Sequence, residues 1–367
     1  MKRFLILILA VSMLLPCFVG CGKTEKESGR EDDEREEDER EEAQETEKED
    51  VYVAMRTENY TITDKMYAYI YYNIYNNYYG YFGDNVTSLL AYIQNNARSQ
   101  AQQILALCEG ARVAGVTLST DDYETVDENL KEFKKNLIAV EMSISEYFGD
   151  VGVTSEDMHQ VMLLTALASK YYEEKTEELT ASVESDEATL LEYANKNSIK
   201  MDTSVTKNVG HILIKVDTEN VGFAVTEDEK KRIEAENEKK YAEALPTAEG
   251  YLAEFLSTSK TKEDFERIGE KYTEDSNVFY ENVRTGDMVD AFNDWIFDPA
   301  RRVGDTGIVK TEYGWHVMYF VGDGRLVWVD DAITALVEEQ LDALLEEGCA
   351  NVTVDENIIG VIDGSKK

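Results

Sequence analysis

Apolar and polar positions along this chain repeat with two different periods. Val209 to Val216 and Thr311 to Val321 are short apolar runs, rich in β-branched and aromatic residues and bounded by glycine and polar residues. Both predict strands. Between them Phe265, Ile268 and Tyr272 recur at helical spacing, which predicts a helix over 262–272. Upstream, residues 51–198 read as mostly helical after a possible strand at 51–55. Thr63 has the character of an N-cap, and Met66, Ile70, Ile74 and Tyr78 then line one helical face. Further helices are predicted near 89–114 (stopped by Gly115), 120–137, 155–179 and 185–197. Thr226 and Glu229 form a capping box that opens a charged helix to about Tyr241, and Pro246 is expected to break it. Near the far end, Val329, Ile333, Leu336, Val337, Leu341, Leu344 and Leu345 predict a helix over 328–347, with Gly348 as its stop. Two short strands, 352–354 and 358–362, are expected after it.

A length of 367 residues suggests two or three domains with real cores. The first residues change the picture more. Met1-Lys2-Arg3 is a basic start, and Phe4 to Leu15 is an apolar run of secretory length, too short for a comfortable membrane span. Phe18-Val19-Gly20-Cys21 resembles a lipobox, so residues 1–21 read as a lipoprotein signal with Cys21 lipidated. Two acyl chains on one cysteine suffice for stable anchoring, here at the outer face of the cell membrane. Residues 24–50 are almost all charged, with acids dominant. Such a stretch cannot bury apolar surface, so 22–50 reads as a disordered tether. The net charge of −38 argues against nucleic-acid partners, whose phosphates would be repelled.

The helix after Thr63 is unusually rich in tyrosine, from Tyr67 to Tyr81. Rings with a polar tip suit either a core or an adhesive, half-wet surface, and both readings stay open. Cys108 and Cys349 could pair or stay as buried thiols, which spacing does not decide. His159 reads as a surface or packing histidine. No phosphate-cradling glycine loop, CxxC, HExxH or Gly-x-Ser-x-Gly pattern occurs, so no metal, cofactor or serine-hydrolase chemistry is expected. The other two histidines, His211 and His316, each sit inside a predicted strand.

Several pieces recur in one order: His211-Ile212-Leu213-Ile214, Phe265 through Tyr272-Thr273-Glu274-Asp275-Ser276, Gly286 to Phe292, Gly304-Asp305-Thr306-Gly307, and Val309 to His316. This ordered set resembles the parvulin (PpiC-like) family of peptidyl-prolyl isomerases over about a third of the chain. With the lipoprotein start, the whole chain resembles PrsA/SurA-type extracytoplasmic foldases. The resemblance implies an α+β fold: a mostly helical lobe built from both chain ends (51–203 and 326–367) around an inserted parvulin-like domain (204–325) with an antiparallel sheet flanked by helices. It implies catalytic roles for His211, Asp275 and His316, with the two imidazoles beneath the bound peptide bond. It puts Met288 and Phe292 in the wall of the proline pocket, and adds Thr311 and Tyr313 as substrate contacts. The four-residue spacing of Met288 and Phe292 would set them on one helical face. Partners would be unfolded or partly folded secreted proteins containing proline. The family's glycine-rich strand after the acidic turn is replaced by Asn277 to Thr285, so one pocket wall is expected to be altered. That departure leaves a second reading, a weakly active or inactive holdase that uses the fold as a peptide platform. A solute-binding lipoprotein would want repeated strand–helix units, which the helical first half lacks.

Overall fold

The computed structural model describes residues 51–149, 151–184, 186–223 and 226–364. The signal sequence, Cys21 and the acidic stretch 24–50 lie outside the described residues. The chain divides into two compact units, one formed by the residues up to Ala181 and from Val337 onward, the other by Ser182–Leu336.

The first unit is mostly helical and draws on both ends of the chain. Strand β1 (Val53–Arg56) is flanked by β2 (Thr61–Thr63) and by β7 (Thr353–Val354), both antiparallel. Thr63 caps helix α1 (Asp64–Phe82), its side chain accepting from the Met66 amide. Then come α2 (Leu90–Ala114), which ends on a left-handed Gly115, α3 (Thr120–Ala139), the single turn α4 (Ile144–Tyr147) and the long α5 (Ser155–Glu184). The tyrosines of α1 divide. Tyr67 and Tyr71 are buried in the core, Tyr69, Tyr72, Tyr75 and Tyr78 pack against cores, and Tyr79 and Tyr81 are exposed.

The C-terminal segment supplies Leu345, Val352 and Ile359 to the same core as Tyr67, Ile93 and Leu105. Two expectations fail here. Residues 358–362 are not a strand but part of helix α11 (Glu356–Ile362), because Asp355 caps it by accepting from the Asn357 and Ile358 amides. Ile358, Ile359 and Ile362 then share a helical face toward the core. Gly348 does not stop α10 (Val327–Ala350), which continues past it. A Cβ at Gly348 would stand 2.9 Å from the Ala106 Cβ, so the glycine serves close approach of α10 to α2. The far end is fastened by Asp363, whose buried carboxylate meets Arg98 at 3.1 Å and the Tyr67 hydroxyl at 3.3 Å. Cys108 and Cys349 are free thiols. Burial pushes them up to about 12 and about 11, and Cys108 donates to the Leu164 carbonyl.

The second unit contains α6 (Glu187–Lys196) and a four-stranded antiparallel sheet in the order β4-β3-β6-β5. Its strands are β3 (Val205–Lys215), β4 (Phe279–Val283), β5 (Thr306–Thr311) and β6 (Gly314–Leu326). The long pairing of β3 with β6 sets His211 opposite Met318 and Leu213 opposite His316. Alternation then sorts the side chains. Ile212, Ile214, Val317 and Tyr319 face helices α7 (Glu227–Leu256) and α8 (Lys262–Tyr272), meeting Ala248, Phe255, Phe265 and Ile268. Val209 and Met318 face α9 (Asp290–Ile296), meeting Phe292 and Ile296. Helix α7 runs through Pro246 instead of breaking there. The carbonyl left without a helical donor belongs to Ala242 on the exposed side, open to solvent, while Tyr241, Ala248 and Phe255 hold the helix to the sheet.

Candidate active site on the four-stranded sheet

The register that pairs β3 with β6 brings the two strand histidines to one face as diagonal neighbours. Their Nδ1 atoms lie 3.0 Å apart, with ring centroids 5.3 Å apart. His211 is 1 % exposed and His316 5 %, so neither ring is wetted. Burial is the main cause that holds both imidazoles below their ordinary range, His316 at about 4, so the pair is neutral at neutral pH. One proton is therefore shared along the Nδ1–Nδ1 contact.

Asp275 decides its direction. The turn Thr273–Ser276 is stitched to β3: the Thr273 hydroxyl accepts from the Leu213 amide, and the Glu274 amide donates to the Leu213 carbonyl. This sets the Asp275 carboxylate 3.3 Å from His211 Nε2. The distance is within ion-pair reach but the angle is not that of a hydrogen bond, and Nε2 has no hydrogen-bond partner among the described residues. A carboxylate here favours the tautomer with the proton on Nε2. His211 Nδ1 then accepts from His316 Nδ1–H, and His316 Nε2 accepts from the Thr311 hydroxyl at 2.8 Å. Thr311 Oγ1 in turn accepts from the Tyr313 amide at 3.2 Å, which leaves its own proton free for His316. The chain Thr311–His316–His211–Asp275 is consistent from end to end.

Around it stand aromatic rings. Phe292 meets both imidazoles edge-on, 5.5 Å from His211 and 5.3 Å from His316. Tyr280 on β4 lies 5.2 Å from His211, and its hydroxyl donates to Asp275 Oδ2 at 3.3 Å. Burial, and then Asp275, hold that phenol above its usual range. The structure thus brings together His211, Asp275, His316, Thr311, Phe292 and, half-buried in the same cluster, Met288. Met288 does not share a helical face with Phe292, because α9 begins at Asp290 and Met288 sits in the bend before it. Tyr313 is 57 % exposed on the β5–β6 turn, and only its backbone joins the chain.

The segment Asn277–Thr285 does form a strand. Tyr280 opposite Val209 gives the site a wall that the sequence reading left in doubt. The alternation of Phe279 toward α8 and Tyr280 toward His211 was the available signal. A second missed residue is Tyr241 of α7. Its hydroxyl donates to the Thr311 carbonyl at 2.7 Å, and its own carbonyl accepts from Trp315 Nε1. His159 lies elsewhere, on α5, paired with Asp127 at 2.9 Å.

Residues 193–322, about a third of the chain, match the family profile of the PPIC-type PPIASE domain. This segment is a parvulin-type isomerase domain by family. All the site residues named above fall inside it. Solved structures similar to the whole chain include PrsA from Bacillus subtilis, at 16% identity over 77% of this chain and 94% of that one, with a TM-score of 0.33. Peptidylprolyl isomerase PrsA from Bacillus anthracis is similar at 12% identity, covering 72% and 92%, with a TM-score of 0.23. Foldase protein PrsA from Streptococcus pneumoniae is similar at 13% identity, covering 86% and 99%, with a TM-score of 0.26. No curated protein matches this chain.

Proposed function

We propose that this protein is a peptidyl-prolyl cis-trans isomerase and foldase for secreted proteins, held outside the cell by a lipid on Cys21 and spaced from the membrane by the tether 22–50. The observation that carries this reading is the neutral, hydrogen-bonded His211–His316 pair beneath Phe292, next to the Asp275 carboxylate. Rotation about an Xaa-Pro bond is slow because it breaks amide resonance, at roughly 20 kcal/mol. No nucleophile is needed to lower it. The site has to grip the proline ring and favour the twisted amide over the planar one. Met288 and Phe292 supply the apolar grip. His211, His316 and Asp275 shape the polar floor under the turning carbonyl, Thr311 donates to His316 and holds its ring, and Tyr313 lies at the rim.

A protease-coupled assay on Xaa-Pro tetrapeptides tests this. The wild type should speed isomerisation above background, with an acidic residue before proline used poorly, because Asp275 is the charge nearest the floor. One observation favours the holdase reading: Phe292 is only 2 % exposed without a peptide, so its ring has to be uncovered before proline can reach it. Absence of any rate enhancement, together with suppressed aggregation of an unfolded client, would decide for the holdase.

A further inference from the structure

Tyr280 of β4 touches both sides of the Asp275–His211 contact. Its ring lies against the His211 imidazole, with centroids 5.2 Å apart and a tilt of 42°, and its hydroxyl donates to Asp275 Oδ2 at 3.3 Å. The sheet puts it there. The His211 amide donates to the Val278 carbonyl, and Tyr280 pairs with Val209, two residues before His211. Val209 and His211 share a face by alternation, so Tyr280 turns to that face too. Burial, and then the neighbouring carboxylate, keep the phenol protonated, so toward Asp275 it acts as a donor.

The carboxylate is held at both oxygens. Oδ1 accepts from the Ser276 amide at 2.7 Å. Oδ2 lies 3.3 Å from the Tyr280 hydroxyl and 3.3 Å from His211 Nε2, and of these two donors the phenol meets it in hydrogen-bond geometry. Tied at both ends, the carboxylate is kept from turning in line with Nε2. In line, it would form a charge-assisted bond and raise the proton affinity of the imidazole. A charged imidazole would work against isomerisation. The carbonyl oxygen of an amide is most negative when the amide is planar, so a cation beneath it would favour the ground state over the twisted one. The groups facing His211 come from four elements: Asp275 from the turn before β4, Tyr280 from β4, His316 from β6 and the uncharged Phe292 from α9.

We propose that Tyr280 is a positioning residue of this site: its hydroxyl holds Asp275 close to His211 but out of line with Nε2, so that the carboxylate biases the tautomer of the imidazole pair without charging it. The catalytic consequence rests on the isomerase reading, whereas the geometry does not. A phenylalanine would fill the same wall, so the role belongs to the hydroxyl.

Tyr280→Phe in the whole protein tests it, with Asp275→Asn and the double variant as controls. The chain has three histidines, so labelling histidine with nitrogen-15 gives three imidazoles to follow by NMR. Between pH 7.5 and 5 the two strand imidazoles of the wild type should stay neutral. In Tyr280→Phe one of them should begin to charge at a pH higher by about one unit, with the circular-dichroism spectrum kept. In the tetrapeptide assay kcat of this variant should fall roughly ten-fold at the pH where the imidazole charges, with KM little changed, and should recover as the pH is raised. The double variant should titrate like Asp275→Asn, because without the carboxylate charge the hydroxyl has nothing to hold back. Unchanged histidine titrations in Tyr280→Phe would overturn the proposal, as would an equal shift with and without the Asp275 charge. A protein that shows the shift yet isomerises nothing refutes the isomerase reading alone. An active isomerase whose Tyr280→Phe variant shows no shift refutes the positioning role alone.

Discussion

Asp275 acts on the imidazole pair through one oxygen, Oδ2, which it shares between His211 Nε2 and the Tyr280 hydroxyl, while Oδ1 accepts from the Ser276 amide at 2.7 Å. Asp275→Asn keeps the Oδ1 contact and the turn but removes the charge that selects the tautomer. The expected result is a fall in kcat of about ten-fold or more with little change in thermal midpoint, because the lost interaction acts on the turning amide rather than on the fold. Equal losses of stability and turnover would show that the residue only holds the turn. The histidines give a second prediction, in pH. His316 titrates at about 4 when folded, against 6.5 as the ordinary value, and His211 is lowered in the same direction. The native state refuses a proton that the unfolded chain accepts, so the pair's contribution is complete above pH 6.5 and is lost as pH falls from there toward 4. The loss from His316 alone is on the order of 3 kcal/mol. Urea unfolding between pH 7.5 and 4.5 should show this slope in the wild type and a flatter one in His316→Gln. Comparing the two removes the background from the chain's many acids. Parallel curves would mean that the imidazoles are not held neutral by burial. At this scale much was legible, since two histidines inside apolar runs already stand out. The resemblance implied a hydrogen-bonded pair on neighbouring strands, but that the two Nδ1 atoms meet was not legible, because only the β3–β6 register makes the residues diagonal neighbours.

Among the elements, α7 ties the site to the opposite face of the sheet. Tyr241 donates to the Thr311 carbonyl while Thr311 Oγ1 bonds His316, so the helix steadies the residue that orients the imidazole. Tyr241→Phe removes one buried hydrogen bond and leaves the Thr311 carbonyl without it, at a cost of about 1–3 kcal/mol. If Tyr241 positions Thr311, kcat should fall more than KM rises, and the pH profile of kcat should shift. A stability loss with unchanged kinetics would make the contact purely structural. The elements the sequence displayed best were those whose period matched their environment, such as α8 with Phe265 and Ile268 buried, or β3 and β6 with alternating faces. The misread ones were decided by context. Ile358, Ile359 and Ile362 carry strand propensity, yet a capping aspartate and a one-sided core made them a helix. Pro246 and Gly348 are breakers in isolation, but long buried stripes on either side carried both helices through.

For the whole molecule, the division of the chain governs what can be removed. The first unit needs residues from both ends, whereas Ser182–Leu336 has its own sheet and two apolar clusters. Truncation after Leu336 deletes Leu341, Leu345, Val352 and Ile359, all buried, together with β7 and the Asp363 contacts to Arg98 and Tyr67. Each fully buried aliphatic side chain contributes roughly 1.5–3 kcal/mol, so four of them approach or exceed the roughly 5–15 kcal/mol by which a domain is stable. The first unit should therefore unfold in the truncated protein, exposing Ile93, Leu105 and Leu107 and binding a hydrophobic dye. The second unit keeps its strands, so any isomerase activity should survive and one calorimetric transition should remain where the intact protein shows two. Residues 182–336 expressed alone should give that same remaining transition. A truncated chain that melts like the intact one, binds no dye and stays monomeric would mean that the C-terminal segment is an appendage rather than a part of the helical core.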